Sequence, residues 1–435
     1  MTIGAVQIPL VTETITPADQ AAVAEIVRDA CNKGMAVYTI GGGTMLEYGV
    51  KPERPGVGLS LAKLNRVVDY PVDDLTITVE AGMTVAELNR VLAAQRQWLP
   101  VDVPEPERTT IGEAVAVNAA GPRRYGYGTM RDYVLGFTAV DGTGMTFSGG
   151  GRVVKNAAGY NMCRLMAGSR GTLGVITQAT LMVRPQSEAS VLLACDVPSL
   201  EIAEKLLADL VRSPTRPVAI ELLAGCQRGE MGTGSEQQRA SLGQSGCREV
   251  PVPISPREND PFFGPILEGH AGRLYVGFEG PATEVDWMVG QLRNEWATAG
   301  IAPPSFAAAD NSTKLWHWLA EFAADVQIGV LPSATTAVIG EVLKIEPQCT
   351  IQAHAGNGVI GLVLRLPLGE GCIAQLRAIA TSAGGKMVVL RHPKGGELTP
   401  ADIWGPPGPA ANVMQAIKDR FDPGNVLNPG QFVLA

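Results

Sequence analysis

Three consecutive glycines directly after an apolar run are the part of this sequence best suited to bind an anion. Residues 37–44 read VYTIGGGT. Glycine has no Cβ, so its backbone can adopt positive φ and can approach a ligand closely. Free N–H groups in such a loop form a concave anion site that can hold a pyrophosphate without a lysine. The spacing matches neither GxxxxGK[ST] nor GxGxxG. For three glycines alone, an ordinary tight turn after a strand remains the alternative.

Histidine and cysteine, which bind metals most often, are few and scattered. The histidines are at positions 270, 317, 354 and 392, and the seven cysteines include no CxxC pair. We therefore expect no disulfide framework and no zinc or iron–sulfur site held by this chain. His317 lies in KLWHWLAEF, whose pattern predicts an amphipathic helix. Arg391 and His392 follow the predicted strand KMVVL and are candidates for a substrate contact, with a plain surface pair as the alternative.

Length and charge indicate an acidic, enzyme-sized chain. It has 435 residues, a net charge of −8 and 43 Asp and Glu against 35 Lys and Arg. Two or three domains are expected from this length, and the charge disfavours nonspecific binding to nucleic acid. No signal peptide and no apolar run long enough to span a membrane is recognised. We expect a cytoplasmic protein that associates with a membrane only through partners.

The first 185 residues alternate between helix and strand patterns. Residues 16–19, TPAD, predict a helix start with Thr16 as N-cap, and apolar residues at helical spacing continue to Gly34. A strand over 36–40 then leads into the glycine loop. Further along, a strand over 75–80 precedes a helix over 84–95, which begins with a threonine cap. We predict an α+β domain over residues 1–186.

The middle of the chain predicts a second domain, a cap over residues 187–399, in which helices back an antiparallel sheet. Its predicted strands are 191–195, 217–223, 273–279 and a strand or hairpin at 349–366, and its predicted helices are 199–212, 281–299 and 371–383. Residues 225–272, rich in Gly, Ser, Pro and Gln, are predicted to be an insertion loop. Residues 400–435, with a helix over 410–420, are predicted to return to the first domain.

Four more segments follow the glycine loop in a recognisable order. They are TTIGEAVAVNAAG at 109–121, KNAAGYN at 155–161, GSRGTLGVIT at 168–177 and FDPGNVLNPG at 421–430. Together the five segments resemble the PCMH-type FAD-binding domain shared by vanillyl-alcohol oxidase, the D-lactate dehydrogenases and UDP-N-acetylmuramate dehydrogenase. KNAAGYN and the segment PRRYGYGTMRDYVLG from Pro122 are most similar to the FAD-binding subunit of bacterial glycolate oxidase. The NADPH-dependent reductase signatures of the third relative are not recognised.

The resemblance implies that the chain binds FAD, largely through backbone groups. The family's cofactor-binding positions correspond here to Ile40, Gly41, Gly42, Gly43, Thr44, Met45, Glu80, Gly82, Thr110, Ile111, Gly112, Asn118, Gly121, Gly174, Val175, Ile176 and Asn428. Covalent flavin attachment in this superfamily commonly uses a histidine in the glycine loop. That position is Thr44, so we expect noncovalent FAD.

The cap departs from its metal-using relatives. Related 2-hydroxy-acid dehydrogenases carry an HxGDGNxH-like segment, and the matching residues 354–361 read HAGNGVIG. His354 is kept, Asn357 stands at the acidic position and Gly361 replaces the second histidine. We therefore expect no multi-histidine metal site. His354 joins Arg391 and His392 as a candidate catalytic residue, and the catalytic residues are otherwise unknown.

Two hypotheses follow. In the first, the chain is the FAD-binding subunit of a glycolate oxidase complex and passes electrons from glycolate oxidation to partners. The resemblance then implies a catalytic flavoprotein subunit and an iron–sulfur subunit. In the second, the chain is a self-sufficient FAD-linked D-2-hydroxy-acid dehydrogenase acting on D-lactate or glycolate. The altered cap motif favours the first, because hydroxyl oxidation needs a base or metal to take the hydroxyl proton.

Overall fold

The computed structural model describes residues 11–46, 48–49, 54–151, 160–225, 266, 269–298, 305–307, 309–364, 370–391 and 398–434. The strands before residue 186 are β1 (Val11–Ile15), β2 (Ala36–Ile40), β3 (Gly56–Ser60), β4 (Val67–Asp69), β5 (Thr76–Glu80), β6 (Gln97–Trp98), β7 (Val134–Val140), β8 (Thr146–Gly150), β9 (Val175–Met182) and β10 (Arg184–Pro185). Those that follow are β11 (Ala189–Val197), β12 (Ala219–Gly225), β13 (Gly272–Gly280), β14 (Ser305–Ala307), β15 (Val326–Gly329), β16 (Thr350–His354), β17 (Val359–Val363) and β18 (Lys386–Val389).

Helices accompany the strands throughout the described chain. In the first half they are α1 (Gln20–Asn32), α2 (Val85–Ala93), α3 (Ile111–Val117), α4 (Arg124–Tyr127), α5 (Met130–Tyr133) and α6 (Met162–Met166). In the second half they are α7 (Leu200–Arg212), α8 (Ala282–Thr298), α9 (Ala309–Ala320), α10 (Thr335–Ile345), α11 (Glu370–Ser382), α12 (Pro400–Trp404) and α13 (Ala411–Phe421). Within the described residues, no helix is long and apolar enough to cross a membrane.

The N-terminal part builds a small parallel sheet. Its strand order is β1-β3-β2, and both pairings are parallel. Helix α1 connects β1 to β2 and buries Val23 and Val27. The predicted N-cap at Thr16 is wrong: the helix begins at Gln20 because Asp19 has extended backbone and its carboxylate accepts from the Ala22 N–H at 2.9 Å.

A second, antiparallel sheet completes the first α+β unit. It has five strands in the order β4-β5-β9-β7-β8. The predicted strand over 75–80 is observed as β5, and the helix after it begins at Val85 with Thr84 as N-cap, as predicted. One continuous apolar core joins this sheet, α2, α3 and the parallel sheet, and it also includes Val426 and Leu427 of the C-terminal segment. The described fold is α+β, as predicted.

The cap region forms one eight-stranded sheet. Its order is β14-β11-β13-β12-β16-β17-β15-β18, and the strand pairs are antiparallel, as predicted. The segment predicted as a strand or hairpin at 349–366 is the antiparallel pair β16 and β17. Helices α7, α8, α10 and α11 pack against this sheet around a separate apolar core. Most of the predicted insertion at 225–272 lies outside the described residues, and the division of the chain into 1–186, 187–399 and 400–435 remains a prediction.

Candidate functional site

The glycine loop begins where β2 ends at Ile40. Gly43 has φ of +72°, a conformation that L side chains rarely adopt. A Cβ added to Gly42 would clash with the carbonyl oxygen of Arg108, and one added to Gly41 would lie 3.0 Å from the Cβ of Glu113. The glycines therefore let the loop pack closely on the segment that leads into α3.

Glu113 in the first turn of α3 is the hydrogen-bond acceptor for this loop. Its Oε2 accepts from the Gly42 N–H at 2.9 Å, and its Oε1 accepts from the N–H groups of Thr44 and Met45 at 3.0 and 3.1 Å. Three backbone donors thus converge on one anionic group, which here is the Glu113 carboxylate, and binding of a pyrophosphate by the loop remains a prediction. Glu113 lies in the segment 109–121 but was not expected as a partner of the loop.

Helix α3 presents small residues on the other side of the same loop. Thr110 is its N-cap and accepts from the Glu113 N–H at 3.3 Å. A Cβ on Gly112 would lie 2.9 Å from the Cβ of Ala81. The lack of a side chain at Gly112 therefore lets α3 pack tightly against the chain after β5.

The C-terminal segment packs beside β2, the strand that leads into the glycine loop. Leu427 pairs with Val37 in a parallel bridge. The Asn428 side chain accepts from the Thr39 N–H at 2.8 Å and donates to the carbonyl oxygen of Arg170 at 2.9 Å. Asn428 thereby connects β2 with the GSRGTLGVIT segment.

These segments enclose one cleft that gathers many of the predicted FAD positions. Its lining includes the predicted residues Gly41, Met45, Thr110, Gly112, Gly174, Ile176 and Asn428. It also includes residues that were not predicted as FAD contacts: Tyr38, Thr39, Leu46, Tyr48, Leu61, Glu113, Ala116, Val117, Arg170, Gly171, Pro429 and Gln431. The cleft therefore lies between the glycine loop, α3, the chain before β9 and the C-terminal tail.

Several other predicted positions lie just beside this lining. Ile40, Gly42, Gly43 and Thr44 form the strand end and the glycine loop itself. Ile111 and Val175 are completely buried in the first core, where their apolar side chains pack.

The remaining predicted positions have structural partners. Glu80 forms an ion pair with Arg66 at 2.7 Å, and hydrogen bonding from Arg66 holds the pKa of Glu80 below its usual range. Asn118 is the left-handed C-cap of α3 and accepts from the Arg131 N–H at 2.8 Å. Side chains at two predicted glycines would clash with other segments. A Cβ added to Gly82 would clash with the Leu61 carbonyl oxygen, and one added to Gly121 would lie 2.5 Å from the Cβ of Asp102. Whether any of these four also contacts a cofactor remains a prediction.

Arg170 brings a cation to the cleft. Its guanidinium lies 4.3 Å from the ring centroid of Trp404 and 5.6 Å from that of Tyr48. Burial lowers the pKa of Arg170 to about 10. Its Nη1 is buried and has no hydrogen-bond partner among the described residues, and the same holds for Thr39 Oγ1 and Ser169 Oγ. Unsatisfied buried donors beside an anion-binding loop suit a large polyanionic cofactor such as FAD.

The cap candidates are only partly brought together. His354 ends β16, and its Nδ1 lies 2.7 Å from Oε1 of Glu221, a completely buried residue on β12. Gln352 donates to the other oxygen of Glu221 at 2.9 Å. Burial raises the pKa of Glu221. No three His, Cys, Asp or Glu residues within the described ranges are arranged to hold a metal ion.

Arg391 lies beside the cleft, and Arg124 lies near Glu221 of the cap sheet. Arg391 lies 6.0 Å from the ring centroid of Tyr48, next to the cleft, whereas His392 falls outside the described residues. Arg124 interacts electrostatically with Glu221, burial lowers its pKa, and its Nε is buried without a partner in the described part of the chain. Arg124 and Glu221 were missed because each has its partner on a distant segment.

Comparison with protein families gives a match in the N-terminal part of the chain. Residues 12–150 match the family described as FAD binding domain. A solved structure of alkyldihydroxyacetonephosphate synthase superposes with a TM-score of 0.65 over 96% of this chain and 76% of the other, at 19% identity. This similarity shows a shared fold.

Curated relatives are FAD-linked oxidoreductases and subunits of glycolate oxidase. The glycolate oxidase subunit GlcD of Bacillus subtilis is 28% identical over 96% of this chain and 88% of its own length. The D-lactate dehydrogenase of Archaeoglobus fulgidus is 35% identical over 48% of this chain and 46% of its own length. The glycolate oxidase subunit GlcE of Escherichia coli is 38% identical over 37% of this chain and 47% of its own length. The last two alignments span less than half of those proteins.

Proposed function

We propose that this chain, whose residues 12–150 belong to the FAD-binding-domain family, is an FAD-linked oxidoreductase subunit of a glycolate oxidase complex. It carries noncovalent FAD and passes electrons from the oxidation of a small 2-hydroxy acid, glycolate, to partner subunits. Its partners are a catalytic flavoprotein subunit, which performs the oxidation, and an iron–sulfur subunit. The observation that carries the proposal is the cleft in which the glycine loop, α3, the chain before β9 and Asn428 meet.

The residues around the cleft suit the parts of this cofactor. The N–H groups of Gly42, Thr44 and Met45 converge on one anion, the Glu113 carboxylate, and Arg170 adds a cation to the same cleft. When bound, FAD supplies the acceptor for a hydride or for single electrons. The protein contributes position, electrostatics and exclusion of water.

The alternative function is a self-sufficient FAD-linked D-2-hydroxy-acid dehydrogenase, and one observation favours it. Because Nδ1 of His354 is bonded to Glu221 at 2.7 Å, Nε2 is the ring nitrogen that could take a proton from a substrate hydroxyl. Arg124, whose Nε is buried without a partner in the described residues, is the nearby cation for a substrate carboxylate. The chain thus has a base and a cation even though the metal-binding segment of its relatives is altered.

Anaerobic reduction of the flavin by substrate separates the two functions. The chain is purified alone and after co-expression with the proposed partner subunits, loaded with FAD and mixed with glycolate or D-lactate. We expect slow loss of flavin absorbance in the chain alone and rapid dye reduction in the assembled complex. Rapid flavin reduction in the chain alone would overturn the accessory role and support the self-sufficient enzyme.

The binding mode of the cofactor is tested on the same preparation. With threonine at position 44, acid precipitation of the protein is expected to release all the flavin into the supernatant. Flavin that stays in the pellet would contradict noncovalent binding. If the protein did not bind FAD at all, the proposed function itself would be rejected.

A further inference from the structure

Arg170 is a half-buried cation whose Nη1 atom is buried, and it has no acidic partner in the described part of the chain. It makes no ion pair there, and its guanidinium lies near the rings of Trp404 and Tyr48. Arginine remains protonated at neutral pH, and a buried guanidinium normally forms several hydrogen bonds. A guanidinium left unpaired in this way is costly to the folded protein unless a ligand completes it.

Other donors around Arg170 are also left without partners. Thr39 Oγ1, Ser169 Oγ and Trp404 Nε1 are buried and lack hydrogen bonds within the described residues. The Arg170 backbone is held firmly, since its N–H donates to the Ala116 carbonyl oxygen at 2.7 Å and its own carbonyl oxygen accepts from Asn428 at 2.9 Å. Rigid backbone with free donors is the arrangement of a preorganised anion site.

The charge of the glycine loop explains why a cation is needed here. Its three N–H groups already contact the Glu113 carboxylate, which brings one negative charge to the cleft. A diphosphate that approaches this loop would be repelled by Glu113. Arg170 lines the same cleft and can offset that repulsion.

We propose that Arg170 binds the diphosphate of FAD and is required because Glu113 makes the glycine loop itself acidic. Bidentate hydrogen bonding by a guanidinium suits phosphate oxygens. The inference rests on the proposed binding of FAD. Arg170 then supplies the attraction that the glycine loop lacks while its N–H groups are bonded to Glu113.

The test compares three probes on the whole protein freed of flavin. Dissociation constants for FAD, ADP and riboflavin are measured by calorimetry for the wild type, Arg170→Met and Arg170→Lys. We expect Arg170→Met to raise the dissociation constants for FAD and ADP by roughly 10- to 100-fold, the range for hydrogen bonds to charged groups. The dissociation constant for riboflavin should stay unchanged. Arg170→Lys is expected to recover part of the loss because it restores the charge without the fork.

Arg164→Met is the matched control, because Arg164 is an exposed arginine on the nearby helix α6. It should leave all three affinities unchanged. The melting temperature of flavin-free Arg170→Met should be equal to or higher than that of the wild type, since an unpaired buried charge is removed. A lower melting temperature together with equal losses for ADP and riboflavin would mean a structural role and overturn the proposal.

The substrate carboxylate is the other anion that Arg170 could bind. If Arg170→Met kept its affinity for FAD and ADP but raised the KM for glycolate, the diphosphate assignment would be overturned. Failure of the wild type to bind FAD would instead reject the proposed function, so the two failures are distinguishable.

Discussion

Single side chains decide the electrostatic character of the cofactor cleft. The loop sequence GGGT indicates an uncharged anion site, yet Glu113 places a carboxylate on its N–H groups at 2.9 to 3.1 Å. Gly42 is needed for packing against the Arg108 backbone whether or not a cofactor binds, so replacing it would disturb the folded loop as well. A substitution at Glu113 therefore tests the electrostatics of the loop without the disturbance of its fold that a substitution at Gly42 would cause.

We expect Glu113→Gln to tighten FAD binding by about tenfold, or about 1.4 kcal/mol, because it removes a negative charge from the diphosphate site. Fluorescence quenching of FAD at several salt concentrations measures this, and the gain should shrink as salt rises. Glu87→Gln is the matched control, since Glu87 occupies the same position in α2, a helix that is also capped by a threonine. Weaker FAD binding in Glu113→Gln would show that the carboxylate supports the occupied loop.

The elements that frame the cleft are held in place by the C-terminal segment. Lys418 on α13 is 3% exposed, and its Nζ donates to the Thr172 carbonyl oxygen at 2.9 Å and to Asp422 at 2.6 Å. Asp422 also accepts from the N–H groups of Val426 and Leu427 at 2.9 and 2.8 Å. This buried pair positions Asn428, which in turn connects β2 to the Arg170 segment.

Removing the lysine should loosen that connection. We expect Lys418→Met to lower the free energy of unfolding by about 3–5 kcal/mol, because it leaves Asp422 buried without a counter-charge. Urea denaturation measures the change. Lys33→Met is the control: Lys33 forms an i,i+4 pair with Asp29, but both side chains are about 60% exposed, and such pairs contribute about 0–1 kcal/mol. Equal effects of the two substitutions would contradict the assigned role of the buried pair.

Across the whole molecule, the two cores meet at arginines of the PRRYGYG segment. Arg123 donates to Glu279 on the cap strand β13 at 2.9 Å, forms a second ion pair with Asp102 of the first unit, and lies 3.9 Å from the ring centroid of Trp316. Burial and these two carboxylates determine its protonation, and the net effect raises the pKa of Arg123. The motif therefore contributes to the junction between the two units.

Replacement of this arginine should weaken the junction. Arg123→Met would leave two buried carboxylates, so we expect the free energy of unfolding to fall by about 3–5 kcal/mol. Calorimetry of the flavin-free protein measures it. Arg131→Met, at an exposed position of α5, should change stability little. A stability of Arg123→Met equal to that of the wild type would show that the junction depends on apolar contacts instead.

The hydrogen-bonded pair of Glu221 on β12 and His354 on β16 predicts that the rate of flavin reduction depends on pH. Burial raises the pKa of Glu221, so its carboxylate ionises at a higher pH than an ordinary glutamate. In the alternative, self-sufficient enzyme, ionised Glu221 orients His354, so flavin reduction by substrate should slow as the pH falls through that raised pKa. In Glu221→Gln, this acid limb should be absent and the rate at neutral pH should fall by roughly 100-fold or more.

Stopped-flow measurement across pH tests this in whichever preparation reduces its flavin, alone or assembled. The exposed Glu25→Gln on α1 serves as control. An unchanged pH profile in Glu221→Gln would remove the pair from the mechanism and agree with the accessory role.

The sequence by itself determined the elements and their grouping. Strand β2 and the strands of the cap sheet follow from local signals such as apolar periodicity, caps and glycine-rich turns, which act between neighbouring residues. The return of the NPG segment was implied only by the family resemblance. The N-cap of α1 was misplaced because Thr16 and Asp19 carry equivalent capping chemistry, and only backbone geometry selects between them.

The tertiary structure alone decided which charges meet. Glu113 and Gly42 are 71 residues apart in the sequence, and Arg170 and Asn428 are 258 residues apart. No periodicity of the sequence encodes contacts over such separations. Glu221 becomes a partner of His354 only because β12 and β16 are neighbours in the cap sheet. A buried charge is stable or reactive according to what surrounds it in space, and that environment is set by packing between distant segments.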